Sequence, residues 1–160
     1  MEKLVVVDTN VFSFLIKLKN SHSGRDMKKE KEYLDCLQGC QIVRAFPTEA
    51  ELRVWLNNLD EGKKKEQYKQ GIIEILDQTP SIDGDSKVAA KWAEIITKGR
   101  RLGKSHVYQT NNPKRDSQIN DTWIAACALA HDLPLVSDNF RDFDWMRENV
   151  GLKLICFSQI

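Results

Sequence analysis

No run of eighteen or more apolar residues occurs in this 160-residue sequence, so no segment reads as a membrane-spanning helix. The N-terminal stretch also lacks the charged, apolar and small-residue order of a signal peptide. There is neither a Gly-x-Gly-x-x-Gly fingerprint nor a Gly-x-x-x-x-Gly-Lys-Ser/Thr loop, which argues against a dinucleotide or nucleoside-triphosphate site. Histidine is scarce: His22, His106 and His131 stand apart from any Ser or Cys at nucleophile spacing, so no triad is indicated. The four cysteines, at 36, 40, 127 and 156, offer no second pair close to Cys36-x-x-x-Cys40 that would complete a zinc site. Cys127 and Cys156 lie in apolar runs and read as small core residues. Free thiols suit a reducing compartment, and the expected location is cytoplasmic. Excess charge of one sign is missing too. With 24 basic and 23 acidic residues the net charge is +1, so any affinity for nucleic acid must come from local patches.

What is present is enough apolar material for a core, 41% of residues, in a chain of single-domain size (residues 1–160). Leu4-Val-Val-Val-Asp8 is a β-branched run without polar alternation, the pattern of a central strand buried on both faces. It ends on Asp8, and Val11, Phe12, Phe14, Leu15 and Leu18 continue as a helix. Lys17 to Lys31 is a polar, basic loop leading to a helix through Tyr33, Leu34 and Leu37. Gln41–Phe46 reads as a second strand, broken by Pro47-Thr48 before a helix from Glu49 to Asn58. Thr48-x-x-Glu51 matches a capping box, with Glu49 on the solvent side. Charged amphipathic helices follow over Glu61–Gln78 and Ser86–Lys98, the second preceded by the capping candidates Asp83 and Asp85. Gly99 to Ser117 lacks periodicity and carries Arg100, Arg101, Lys104, His106, Lys114 and Arg115 beside Tyr108. Such a long irregular loop could cradle a single strand through stacking and phosphate contacts, or be a plain insertion.

The stretch Ile119–Phe143 reads as a helix capped by Asn120 with Asp121 in its first turn, then a buried strand over Leu133–Ser137, then a turn carrying Asp138. A short helix over Asp144–Glu148 and a strand over Leu152–Phe157 close the chain. Alternating strands and helices imply a parallel sheet with helices on both faces, a three-layer α/β/α fold. In such a sheet the strand carboxyl ends and helix amino ends share one rim. Asp8, Glu51, Asp121 and Asp138 all fall at junctions on that rim. Each alone is a possible helix cap. Four together would repel one another unless a cation lay between them. Oxygen donors without His or Cys suit a hard ion, Mg²⁺ or Mn²⁺, and a carboxylate-bound Mg²⁺ completes its shell with phosphate oxygens. That is phosphodiester chemistry.

Four motifs, Val-Val-Val-Asp8-Thr-Asn10, Thr48-x-x-Glu51-Leu52, Asn120-Asp121-Thr-Trp-Ile-Ala-Ala-Cys-Ala-Leu129 and Leu135-Val-Ser-Asp138-Asn139-x-x-Asp142-Phe143, resemble in order and spacing the successive motifs of PIN-domain nucleases, closest to the VapC toxin branch. Trp92-Ala-Glu-Ile95 is similar to the helix preceding the third acid in that branch. The resemblance implies a PIN-like fold and a Mg²⁺- or Mn²⁺-dependent endoribonuclease, commonly a homodimer held inactive by a cognate antitoxin. It maps the first three family acids onto Asp8, Glu51 and Asp121, and the fourth position onto Asp138 or its neighbour Asn139. The expected catalytic and metal-holding residues are therefore Asp8, Glu51, Asp121 and Asp138. Asn10, Asn139, Arg100, Arg101 and Lys104 are the expected contacts to RNA. Two other classes share the scaffold: a non-catalytic module that binds RNA or protein, and a DNA-directed metal nuclease.

Overall fold

The structure, a computed structural model, describes residues 3–20, 26–104 and 116–158. Its elements run β1 (Lys3–Val7), α1 (Thr9–Lys19), α2 (Lys28–Leu37), β2 (Cys40–Ala45), α3 (Phe46–Asn57), α4 (Lys63–Gln78), β3 (Ser81–Ile82), α5 (Ser86–Arg101), α6 (Asp116–Ala130), β4 (Leu135–Val136), α7 (Phe140–Val150) and β5 (Leu154–Ile155). The five strands form one parallel sheet in the order β3-β2-β1-β4-β5. β1 is central, as its unbroken apolar run requires. Val6 packs into a core with Ile95, Ile124, Leu135 and Phe143, whereas Val5 and Val7 pack on the opposite face with Phe12, Ile16, Leu52 and Ile72. This alternation produces the three layers, with α5, α6 and α7 on one side and α1, α2, α3 and α4 on the other. Among the described residues no helix is long and apolar enough to cross a membrane.

The chain steps from β1 to β2 to β3 in one direction and returns to β4 and β5 in the other. The switch point therefore lies between β1 and β4, where Val7 pairs with Val136 and the Asp8 amide donates to the Val136 carbonyl at 3.0 Å. Brims of parallel sheets bind ligands at this kind of crevice.

Several boundaries differ from the sequence expectation. α3 starts at Phe46, three residues early, because Pro47 fits the first helical turn instead of blocking it. Thr48 is thus inside the helix, and the capping box is not formed. α5 runs on to Arg101 and α6 begins at Asp116, so Arg100 and Arg101 are helical and the connection is shorter than Gly99–Ser117. The residues His22, His106, Tyr108, Lys114 and Arg115 lie outside the described residues. Asp121 sits in the second turn of α6, and Asn120 is not its cap. α7 extends over Phe140–Val150, well beyond Asp144–Glu148, and closes on Gly151 in the left-handed conformation (φ 78°). β3, two residues between Pro80 and Asp83, was too short to leave a periodic signal. Asp85 is the N-cap of α5, accepting the Val88 amide at 2.9 Å.

α6 is buried almost all round: Ile124, Ala125, Ala126, Cys127 and Ala128 are inaccessible. Its alanines let it lie close on the sheet, against β1 and β2 on one side and α5 on the other. Trp92 of α5 stacks on Trp123 of α6 (4.5 Å, 5° between planes), and its indole N–H donates to the Thr122 hydroxyl at 2.9 Å. These contacts fix the turn that carries Asp121.

Candidate metal centre

Asp8 follows β1 directly and caps α1 from a buried position, 3% exposed. Its Oδ1 accepts the Thr9 amide at 2.7 Å and its Oδ2 accepts the Ser137 hydroxyl at 2.6 Å. The Ser137 oxygen in turn accepts the Asn139 amide at 3.0 Å, which ties the end of β4 to the end of β1. Glu51, in the second turn of α3, accepts the Thr9 hydroxyl on Oε2 and the Asn120 side-chain amide on Oε1 at 2.9 Å. Asp121 is 7% exposed. The side-chain amide of Asn139 donates both to Asp121 Oδ2 (3.1 Å) and to Asp142 Oδ2 (2.8 Å). A cavity of about 420 Å³ opens over these groups, lined by Asp8, Glu51, Asp121 and Asn139 together with Asn10, Ser13, Lys17 and Trp55.

Three of the four expected acids therefore converge. The fourth, Asp138, does not line this cavity. Its Oδ1 accepts the Tyr33 hydroxyl (2.9 Å) and the Ser158 hydroxyl (2.5 Å), and Lys29 pairs with Oδ2 at 2.8 Å. Burial raises the Tyr33 phenol far above its ordinary value, so it stays a donor to Asp138. The next residue, Asn139, turns inward instead, and brings Asp142 of the first turn of α7 toward the cluster. Asp142 was legible in the Asn139-x-x-Asp142 spacing once α7 is known to start at Phe140. Arg100, Arg101 and Lys104 are away from this lining. Arg101 borders a separate groove between α5 and α7 with Glu94 and Asn149. The backbone amide of Lys104 donates to the Gly99 carbonyl at the end of α5.

Electrostatics mark the same place. Burial, then the charges of Glu51 and Asp142, lift the Asp8 carboxyl from its ordinary 3.8 to about 7, against the opposing hydrogen bonds from Ser137 and the Thr9 amide. Asp121 is raised well above its ordinary value, first by burial and then by Asp8, Asp142 and Glu51. The Asp8–Asp121 repulsion is mutual, and the acid that ionises second carries it. Among the described residues Lys17 is the one basic side chain in the cavity lining.

Among the described residues no three His, Cys, Asp or Glu groups already enclose a metal position. Glu51 is turned to Thr9 and Asn120, and Asp121 to Asn139. The donor set nonetheless suits a hard dication: it is all oxygen, with Asp8 and Asp121 buried and Glu51 and Asp142 half-buried. Asp8, Glu51 and Asp121 line the cavity and would be the residues to hold the ion, with Asp142 linked to Asp121 through the Asn139 side-chain amide.

A family model described as the PIN domain matches residues 5–148. No curated protein matches the chain significantly in sequence. Among solved structures, the chain is similar to one in VapBC2 from Rickettsia felis bound to a promoter DNA fragment, with 22% identity, 97% of this chain and 99% of that one covered, and a TM-score of 0.67. It is also similar to one in VapBC-5, a toxin–antitoxin system member from Mycobacterium tuberculosis (21% identity, 96% and 98% covered, TM-score 0.63). A third match is in DNA-bound VapBC from Salmonella typhimurium (20% identity, 99% and 100% covered, TM-score 0.66).

Proposed function

Since the chain belongs to the PIN-domain family, we propose that it is a Mg²⁺- or Mn²⁺-dependent endoribonuclease, the toxin of a toxin–antitoxin pair. The carrying observation is the convergence of Asp8, Glu51 and Asp121 on one cavity at the sheet's switch point, with both aspartates held abnormally hard to ionise. Such a site is unfavourable on its own, and a bound dication offsets the repulsion. Asp8, Glu51 and Asp121 would hold the ion, with Asp142 in the role the motif alone suggested for Asp138. A hard dication held there would supply charge stabilisation for a phosphodiester and lower the pKa of a nearby water.

The surrounding residues then have definite tasks. Ser137 and the Thr9 amide aim both oxygens of Asp8. Thr9 and Asn120 orient Glu51. Asn139 bridges Asp121 and Asp142, and so sets their separation. Lys17 supplies positive charge where a phosphodiester would enter.

The toxin reading is supported by the toxin–antitoxin complexes in which the similar chains occur. On that reading the chain forms a homodimer bound by a cognate antitoxin.

Labelled single-stranded RNA and DNA, each incubated with Mg²⁺, Mn²⁺ or EDTA, test the activity. RNA cleavage that requires the ion is expected. Asp8→Asn and Asp121→Asn should each lower it by more than the roughly 10–100-fold that outer-shell partners are worth. Cleavage of DNA alone would make the protein a DNA-directed nuclease, and RNA binding without turnover under any divalent ion would make it a non-catalytic module.

A further inference from the structure

An acid-lined cavity repels a polyanion, so RNA must be held beside it by contacts that do not depend on the acids. Helical spacing places such contacts on the cavity wall. Thr9, Ser13 and Lys17 recur every four residues along one face of α1, and Glu51 and Trp55 do the same on α3; all five line the cavity. The Lys17 ammonium stands over the Trp55 ring, 5.8 Å from its centroid. Trp55 in turn lies 5.0 Å from Tyr68 of α4, their planes 32° apart, and Lys64, one turn earlier on α4, stands 5.6 Å from the Tyr68 centroid. Aromatic rings interleaved with lysines thus lead from the acid cluster along α3 and α4. Stacking on an aromatic ring together with lysine–phosphate contacts is how proteins hold single-stranded nucleic acid.

We infer that Trp55 is the base-stacking wall of this site: an unpaired nucleotide next to the scissile phosphate of a single-stranded RNA lays its base on the indole, and Lys17 shifts from the ring to a backbone phosphate. Tyr68 and Lys64 continue the path for the adjoining nucleotide. The inference rests on the nuclease reading for the identity of the ligand, but its contacts need no metal.

The test measures fluorescence anisotropy of a labelled oligoribonucleotide in the Asp121→Asn background, where binding is read without cleavage. Trp55→Leu keeps an apolar side chain but removes the ring and should weaken binding to single-stranded RNA about tenfold, while Trp55→Phe keeps most of the affinity. Blunt duplex RNA, which has no unpaired base to offer, should be insensitive to either change. Lys17→Ala should reduce the slope of log affinity against log salt by about 0.7. Melting curves establish that each variant is folded. In the otherwise unaltered protein, kcat/KM of Trp55→Leu should fall about tenfold through KM. Equal affinity of Trp55→Leu and the parent for single-stranded RNA overturns the stacking wall, and so does an equal loss for duplex. A parent that never cleaves RNA, yet binds it through Trp55, would remove the nuclease reading and leave the wall standing.

Discussion

Replacing Asp8 by Asn should make the metal-free protein more stable at pH 8, although it removes a buried, hydrogen-bonded side chain. The carboxyl of Asp8 ionises at about 7 in the folded chain and at its ordinary 3.8 when exposed. At 1.36 kcal/mol per pH unit this difference corresponds to about 4 kcal/mol. Its sign follows from linkage. An acid with a raised folded pKa favours the fold when protonated, so this contribution is complete below about pH 4 and is lost as the pH rises to about 7. Asn carries no charge at any pH and is itself a good N-cap. It accepts one of the two hydrogen bonds from the Thr9 amide and Ser137, and the other is worth about 1–2 kcal/mol. The net gain is about 2 kcal/mol at pH 8, or roughly 4–8 °C in Tm for a domain of this size. The assay is thermal unfolding by circular dichroism in EDTA at pH 8 and pH 5. The Tm advantage of Asp8→Asn should shrink at pH 5 and reverse at pH 8 when saturating Mn²⁺ is added. A variant less stable than the parent at pH 8, or an advantage independent of pH, would refute the reasoning that the cluster is held together against its own charge.

Other expectations follow from the same contacts. Asp138→Asn should leave Mn²⁺ affinity within about threefold of the parent, since the buffering of its charge by Lys29, Tyr33 and Ser158 lies outside the cavity, whereas Asp142→Asn should weaken it by about 10–100-fold; calorimetric titration of the two distinguishes them. Asn139→Ala unties Asp121 from Asp142 and should lower RNA cleavage by about 10–100-fold while changing Tm by only a few degrees. Gly151→Ala forces a side chain into a left-handed position and should lower stability by about 1 kcal/mol, read from denaturant unfolding, with cleavage unaltered.

The fold was legible because its signals were long or strongly patterned. The Leu4–Asp8 run has the pattern of a doubly covered strand, and the alanine-rich stretch after Asp121 that of a helix lying close on a sheet. Strand β3 and the true starts of α3 and α7 were not legible. Two residues have no period, and Pro47 reads as a breaker until its place in a first turn is known. The site divided on the same line. Asp8 directly follows a strand whose position was clear, and Glu51 and Asp121 fall early in helices whose presence was clear even though their first residues were not. Where Asp138 and Asn139 point depends on a single residue of rotation after β4, and in the structure Tyr33 and Lys29 hold Asp138 outside the cavity that Asn139 lines. Those partners are more than a hundred residues away, so no local pattern announces them.

Mn²⁺ binding followed by electron paramagnetic resonance tests the central claim most directly. The account predicts that the parent protein quenches the free-ion signal with one saturable class of site, and that Asp8→Asn and Asp121→Asn, both still folded, lose that binding by about tenfold or more. Quenching that is absent in the parent at millimolar Mn²⁺, or unchanged in both variants, would contradict it.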